Sequence, residues 1–322
     1  MVGLQEFLEK LPPADVRPPY RVLAELSGSS ESDARKLAQI WTGWRPAYLR
    51  TFLRRLAALA EENILYEFEA IFSAGLTSAD PVARATSIAA LGESSNKLLA
   101  QRFTRILKED SSREVREAAA LGLARFAIMA CEGKMIARDY ERIREALEFA
   151  IRRPEEALSV RRRAIEAIGS YPNDVNERII VDAYQSGDRF LQQSALFAMG
   201  RSGNRRWLPE ITRSVESNNA GVRYEAVGAL GLVGEEDDAP LLVAALEDDD
   251  LQVRAAAIIA LGRIGGPAAV RIIKRQIGSK IPVIAEAARE AFEELELGDP
   301  ITPGTPGLPG SPPDSNGNGR SV

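Results

Sequence analysis

The residue types that could do chemistry in this 322-residue chain are Arg, Trp, Tyr and carboxylates, because His is absent and Cys131 is the only thiol. Without His there is no Ser-His or Cys-His nucleophile, no imidazole base and no His-ligated metal. One cysteine cannot form a disulfide within the chain or a cysteine-rich zinc site. The acidic run Glu235–Asp238, with Glu247–Asp250 further on, lacks the residue order of a calcium loop and suits helix starts. The expectation is therefore no catalytic residue, no metal and no cofactor.

Three Arg-rich groupings remain. Arg201, Arg205, Arg206 and Trp207 stand at one turn, with Tyr224 and Glu225 about one repeat later. Exposed Arg with Trp or Tyr is a common anchor for protein partners. Trp44, Arg50 and Arg54 form a second such set, in which Arg50 and Arg54 are one helical turn apart. These nine residues are the candidate partner-binding set. Arg84, Arg116, Arg161, Arg223 and Arg254 form the third grouping, and their regular recurrence points to the elements that carry them.

Seven ten-residue segments align without gaps: ARATSIAALG from Ala83, VREAAALGLA from Val115, VRRRAIEAIG from Val160, LQQSALFAMG from Leu191, VRYEAVGALG from Val222, VRAAAIIALG from Val253 and IAEAAREAFE from Ile284. The last five starts are 31 residues apart, and the step from Val115 to Val160 is 45. With the first residue as column zero, column four is Ala in six units and column seven is Ala in six. Columns zero, four, five, seven and eight share one arc of a helix, so large aliphatics fill a core while Ala admits a close neighbour. Column nine is Gly in five units, which predicts a left-handed C-cap. A second apolar helix is expected after it, as in APLLVAALE from Ala239. A hairpin of this size buries its apolar face only against copies of itself, so an all-α solenoid follows.

The segment DLQVRAAAIIALG from Asp250, with DPVARATSIAALG from Asp80, resembles the HEAT-repeat superfamily, specifically the short HEAT-like units of phycobilin lyases. ALFAMGRSGNRRWLP with RYEA also resembles bacterial multi-HEAT proteins. The resemblance implies a right-handed superhelix of stacked hairpins. It also implies a structural ladder in which the column-one arginines meet Asp80, Asp188 and Asp250 of neighbouring repeats. Deoxyhypusine hydroxylase resembles this fold but needs His-Glu pairs, which are missing here.

The expected organisation is a lead-in over 1–30, divergent capping units over 31–79, a solenoid over 80–297 with an insertion near 127–151, and a disordered Pro/Gly-rich tail over 298–322. The segment SDARKLAQIWTG from Ser32 matches the first-helix pattern. Nothing resembles a secretory signal or a membrane span, so a cytoplasmic protein is expected. The net charge of −5 disfavours nucleic acid. The functional expectation is a non-catalytic scaffold that binds a protein partner on its curved surface. The alternatives are phycobilin-lyase-like chromophore handling and nucleic-acid binding through the Arg-rich faces.

Overall fold

A computed structural model describes residues 4–13 and 16–297. The expected tail over 298–322 lies outside the described residues. The helices run in order α1 Leu4–Lys10, α2 Tyr20–Leu23, α3 Glu31–Trp41, α4 Pro46–Glu62, α5 Glu69–Gly75, α6 Pro81–Ala90, α7 Lys97–Glu109, α8 Arg113–Cys131 and α9 Ala137–Arg152. They continue with α10 Leu158–Ile168, α11 Asp174–Tyr184, α12 Arg189–Arg201, α13 Leu208–Val215, α14 Ala220–Val233, α15 Leu251–Ile264, α16 Gly266–Gln276 and α17 Pro282–Leu297. The chain divides within α12 into two compact units, Met1–Ala198 and Met199–Val322. No helix among the described residues is long and apolar enough to cross a membrane.

In the first unit, α2 packs on α4, α4 on α6, α6 on α8 and α8 on α10. A second layer runs α3 on α5 and α7 on α9. Helix α3, whose pattern suggested a first helix, thus belongs to the second layer. An amphipathic period locates an apolar face but not the layer that receives it. In the second unit α14 packs on α15 and α15 on α17, with α13 and α16 as second-layer partners. Each unit is an α-solenoid of stacked hairpins.

Column four is the centre of the core: Ser87, Ala119, Ala164, Ala195, Ala226, Ala257 and Ala288 are all buried. N-caps fall where expected, with Asp80, Asp188, Asn219 and Asp250 each accepting a backbone N–H of the helix that follows. The insertion lengthens a hairpin, giving α8 19 residues and α9 16.

Two expectations are corrected. The column-nine glycines are not left-handed caps, since none of them has positive φ, and α12, α14 and α15 run past theirs. At Gly169, Gly200 and Gly231 the role is close approach. A Cβ at Gly169 would sit 2.6 Å from Ala198 Cα, one at Gly200 2.8 Å from Ala229 Cα, and one at Gly231 2.7 Å from Ala260 Cα. Each is a column-nine Gly lying on a column-seven Ala of the next repeat. The other correction concerns APLLVAALE, which forms two 3-10 segments, Glu236–Leu242 and Ala244–Glu247, rather than an α-helix. Pro240 stands inside the first and has no N–H to donate to an α-helical ladder.

Candidate interaction surface

The column-one arginines are consumed inside the chain. Arg84 donates Nε and Nη2 to the two carboxylate oxygens of Asp110, both at 2.8 Å, and Nη1 to the Ser78 carbonyl at 2.8 Å. Arg116 donates to Glu156 at 3.0 and 2.7 Å and to the Asp110 carbonyl at 2.7 Å. Arg223 donates to Asp248 at 2.6 and 2.8 Å and to the Ser217 carbonyl at 2.8 Å. Arg254 closes the pattern on the Asp248 carbonyl. Each guanidinium therefore fastens its own preceding turn and, where a carboxylate is available, the next one.

The acceptors differ from those expected. Asp80 does meet an arginine, but it is Arg50, at 2.7 to 3.1 Å. Asp188 and Asp250 cap their helices and form no ion pair among the described residues. The true acceptors Asp110 and Asp248 stand five residues before column zero, and Glu156 stands four before. That fifth position is Ser78, Asp110, Glu155, Ser186, Ser217, Asp248 or Ser279 in successive units. In six of them the side chain accepts the backbone N–H two residues on, as Ser217 does from Asn219 and Asp248 from Asp250. Asp in place of Ser keeps this turn and has a second oxygen for the preceding Arg. Arg161 is outside the ladder and donates instead to the Ile151 carbonyl at 3.0 Å, because the next turn has the short, neutral Ser186.

Charge chemistry follows the geometry. The Arg50 hydrogen bonds hold the Asp80 carboxyl below its ordinary range, and those of Arg223 do the same for Asp248. Burial pushes Glu156 up, yet the bonds from Arg116 leave it below the ordinary value.

The structure splits the proposed partner-binding set. Trp207 is buried, with 1% of its surface exposed, and its indole N–H has no acceptor among the described residues. It packs the interior rather than offering an anchor, with the Arg206 guanidinium 4.5 Å from its ring centroid. Arg205 donates to Asp238 at 2.8 Å and to the Val233 carbonyl at 3.0 Å, tying its turn to the next one. Arg50 is a ladder rung. Trp44 is half-buried, edge-on to Tyr48 and Phe52 at 5.1 and 5.2 Å. Arg54 and Arg206 are exposed, while Glu225 is half-buried. Arg201 and Tyr224 are half-buried; burial lowers the Arg201 pKa, and the like charge of Arg263, a residue the sequence reading missed, lowers it further. Its signal was available: Arg201 and Arg263 both stand at column ten.

A groove of about 1310 Å³ crosses the second-layer helices of the first unit. Glu31 and Arg35 of α3, Glu69 of α5, and Leu98, Arg102 and Arg105 of α7 contribute to its walls. Leu98 is 65% exposed. Ser94 and Asn96 fix the Glu69 carboxylate at 2.6 and 2.7 Å, so this acidic wall is held in place.

Comparison with family models agrees with this architecture. The family model described as HEAT repeats matches residues 177–254 and 239–293. No curated protein matches the chain. Among solved structures, yeast importin-β is 15% identical, covering 91% of this chain and 46% of its own, at a TM-score of 0.49. The phycocyanin lyase complex from Nostoc sp. is 18% identical, covering 70% and 94%, at 0.46. Human deoxyhypusine hydroxylase is 17% identical, covering 83% and 97%, at 0.36. Residues 177–293 are HEAT repeats.

Proposed function

We propose that this protein is a non-catalytic scaffold that binds a protein partner, with the second-layer groove of the first unit as the docking surface. The groove itself supports this reading most. Its volume of about 1310 Å³ exceeds the roughly 300–1,000 Å³ of small-molecule pockets and suits a polypeptide segment. Its walls combine an exposed Leu98 with arginines and carboxylates, the mixture that gives a protein interface both apolar contact and register. Arg54 and Arg206, exposed elsewhere, are secondary contacts in this proposal. The arginines that a nucleic-acid reading would need, Arg84, Arg116 and Arg223, are bonded within the chain.

The test is affinity capture from the source cell with the intact chain and with a Leu98→Glu/Arg102→Glu variant. A partner retained by the first and lost by the second, with helicity unchanged, supports the groove. A partner held equally by both removes it.

A further inference from the structure

The second-layer groove of the first unit has its charges sorted along its length. Hydrogen bonds tie the starts of α3, α5 and α7 into one closed end. Gly28 N–H donates to the Glu67 carbonyl at 2.8 Å, and the Ser94 hydroxyl and Asn96 amide donate to the Glu69 carboxylate. Glu31, Glu67, Glu69 and Glu93 line this end, and all four are exposed. Leu98, the second residue of α7, stands at the same end. Ile64 and Leu65, which directly precede the groove-lining Tyr66, are 93% and 80% exposed.

The cations come further along. Arg35 belongs to the second turn of α3, and Arg102 and Arg105 stand about 8 and 12 Å past the start of α7. All three line the groove and are exposed, and none forms an ion pair among the described residues. Helix α7 offers Arg102 no carboxylate, since Leu98, Leu99, Arg105 and Ile106 are the residues three and four away. Arg102, Arg105 and Lys108 instead follow one another at three-residue spacing, a like-charge row that weakens the helix. Arg144 of α9, by contrast, is paired with Glu141 and Glu148 of its own helix. Acids at helix starts suit the helix dipole, but an arginine row in the middle of α7 has no such use.

We propose that the occupant of this groove is a polypeptide segment of split charge. Its basic, apolar half seats at the closed end against Glu31, Glu67, Glu69 and Leu98, and its acidic half pairs with Arg102 and Arg105. The proposal rests on the docking role given to the groove above. Complementary charge at both ends fixes the register of the segment. A segment of one sign throughout meets like charge at one end, and the exposed carboxylates repel an anionic lipid surface or a nucleic-acid backbone. The sign must change within about 8–12 Å, which is about five to eight residues of helix or about three of extended chain.

The experiment is selection of a phage-displayed random-peptide library on the full chain, discarding clones that also bind Leu98→Glu/Arg102→Glu. The clones that depend on the groove should carry Lys or Arg in one half and Asp or Glu in the other. A synthetic peptide of that pattern should bind Arg102→Gln/Arg105→Gln about ten-fold more weakly than the parent. Against Arg102→Glu/Arg105→Glu, replacing the acidic residues of the peptide by Lys should restore binding, which a misfolded variant could not give. Groove-dependent clones without the split pattern, or no rescue by the Lys peptide, overturn the split-charge occupant while the groove remains a docking surface. The absence of any groove-dependent clone removes both.

Discussion

Arg223 and Asp248 join successive repeats of the second unit through two hydrogen bonds of 2.6 and 2.8 Å, with 18% and 9% of their side-chain surface exposed. The same Asp248 is held through its carbonyl by Arg254, the equivalent arginine of its own repeat. Asp110 stands in the same double grip between Arg84 and Arg116. A polar residue in the turn thus transmits contact along the stack beside the apolar core.

Removing one partner of such a pair leaves the other charge half-buried and unpaired. Asp248→Ala should lower unfolding stability by about 2–3 kcal/mol in chemical denaturation. Asp250→Ala, which removes only a cap, should cost about 1 kcal/mol. The double change Arg223→Met/Asp248→Ser should cost less than Asp248→Ala alone, since Ser preserves the turn, as it does at Ser217.

The rungs also predict a pH dependence. Asp80 and Asp248 have pKa values below the ordinary carboxylate value, first because of hydrogen bonds from Arg50 and Arg223. A group whose folded pKa is depressed contributes stability fully above its unfolded value, near about 3.9 for Asp. That contribution is lost as pH falls through this value toward the folded one. Thermal melts from neutral to acid pH should therefore show a decline that is shallower in Asp248→Ser than in the parent.

Two glycines of α14 should respond to alanine in opposite senses. At Gly231 a Cβ would meet Ala260 Cα at 2.7 Å, so Gly231→Ala must push α14 and α15 apart and should destabilise by about 1–3 kcal/mol. At Gly228 a Cβ meets nothing, so Gly228→Ala should stabilise by about 0.5–1 kcal/mol through helix propensity. Comparing the two midpoints checks both. The sign at Gly228 also reports that its surroundings are open.

Trp207 is a core residue, and Trp207→Ala should cost about 3–5 kcal/mol. Partner loss in that variant would report unfolding rather than a broken contact, and circular dichroism melting distinguishes the two.

The 31-residue period and its Ala columns revealed the hairpin stack, because Ser87, Ala119 and Ala257 share both a column and complete burial. The position of Gly200 or Gly231 was equally plain, but its purpose was not. A glycine ending an apolar pattern looks the same whether it caps a helix or admits the Ala of the next one. Ladder partners were only half legible. Arg223 recurs in register, while its acceptor Asp248 lies in the following turn, beside Asp249 and Asp250, and only three-dimensional stacking selects among them. Arg263 went unnoticed because no neighbouring aromatic marked it. The groove was illegible, since Arg35, Glu69 and Leu98 come from three hairpins with no common spacing.

The most direct test of the scaffold reading places a photo-crosslinking phenylalanine analogue at position 98, in the groove, and separately at the exposed position 241 in the second unit. The account predicts one dominant crosslinked polypeptide at position 98, absent at 241 and suppressed by Arg102→Glu. Crosslinks of equal pattern at both positions, or none at position 98 while the partner remains bound, would contradict it.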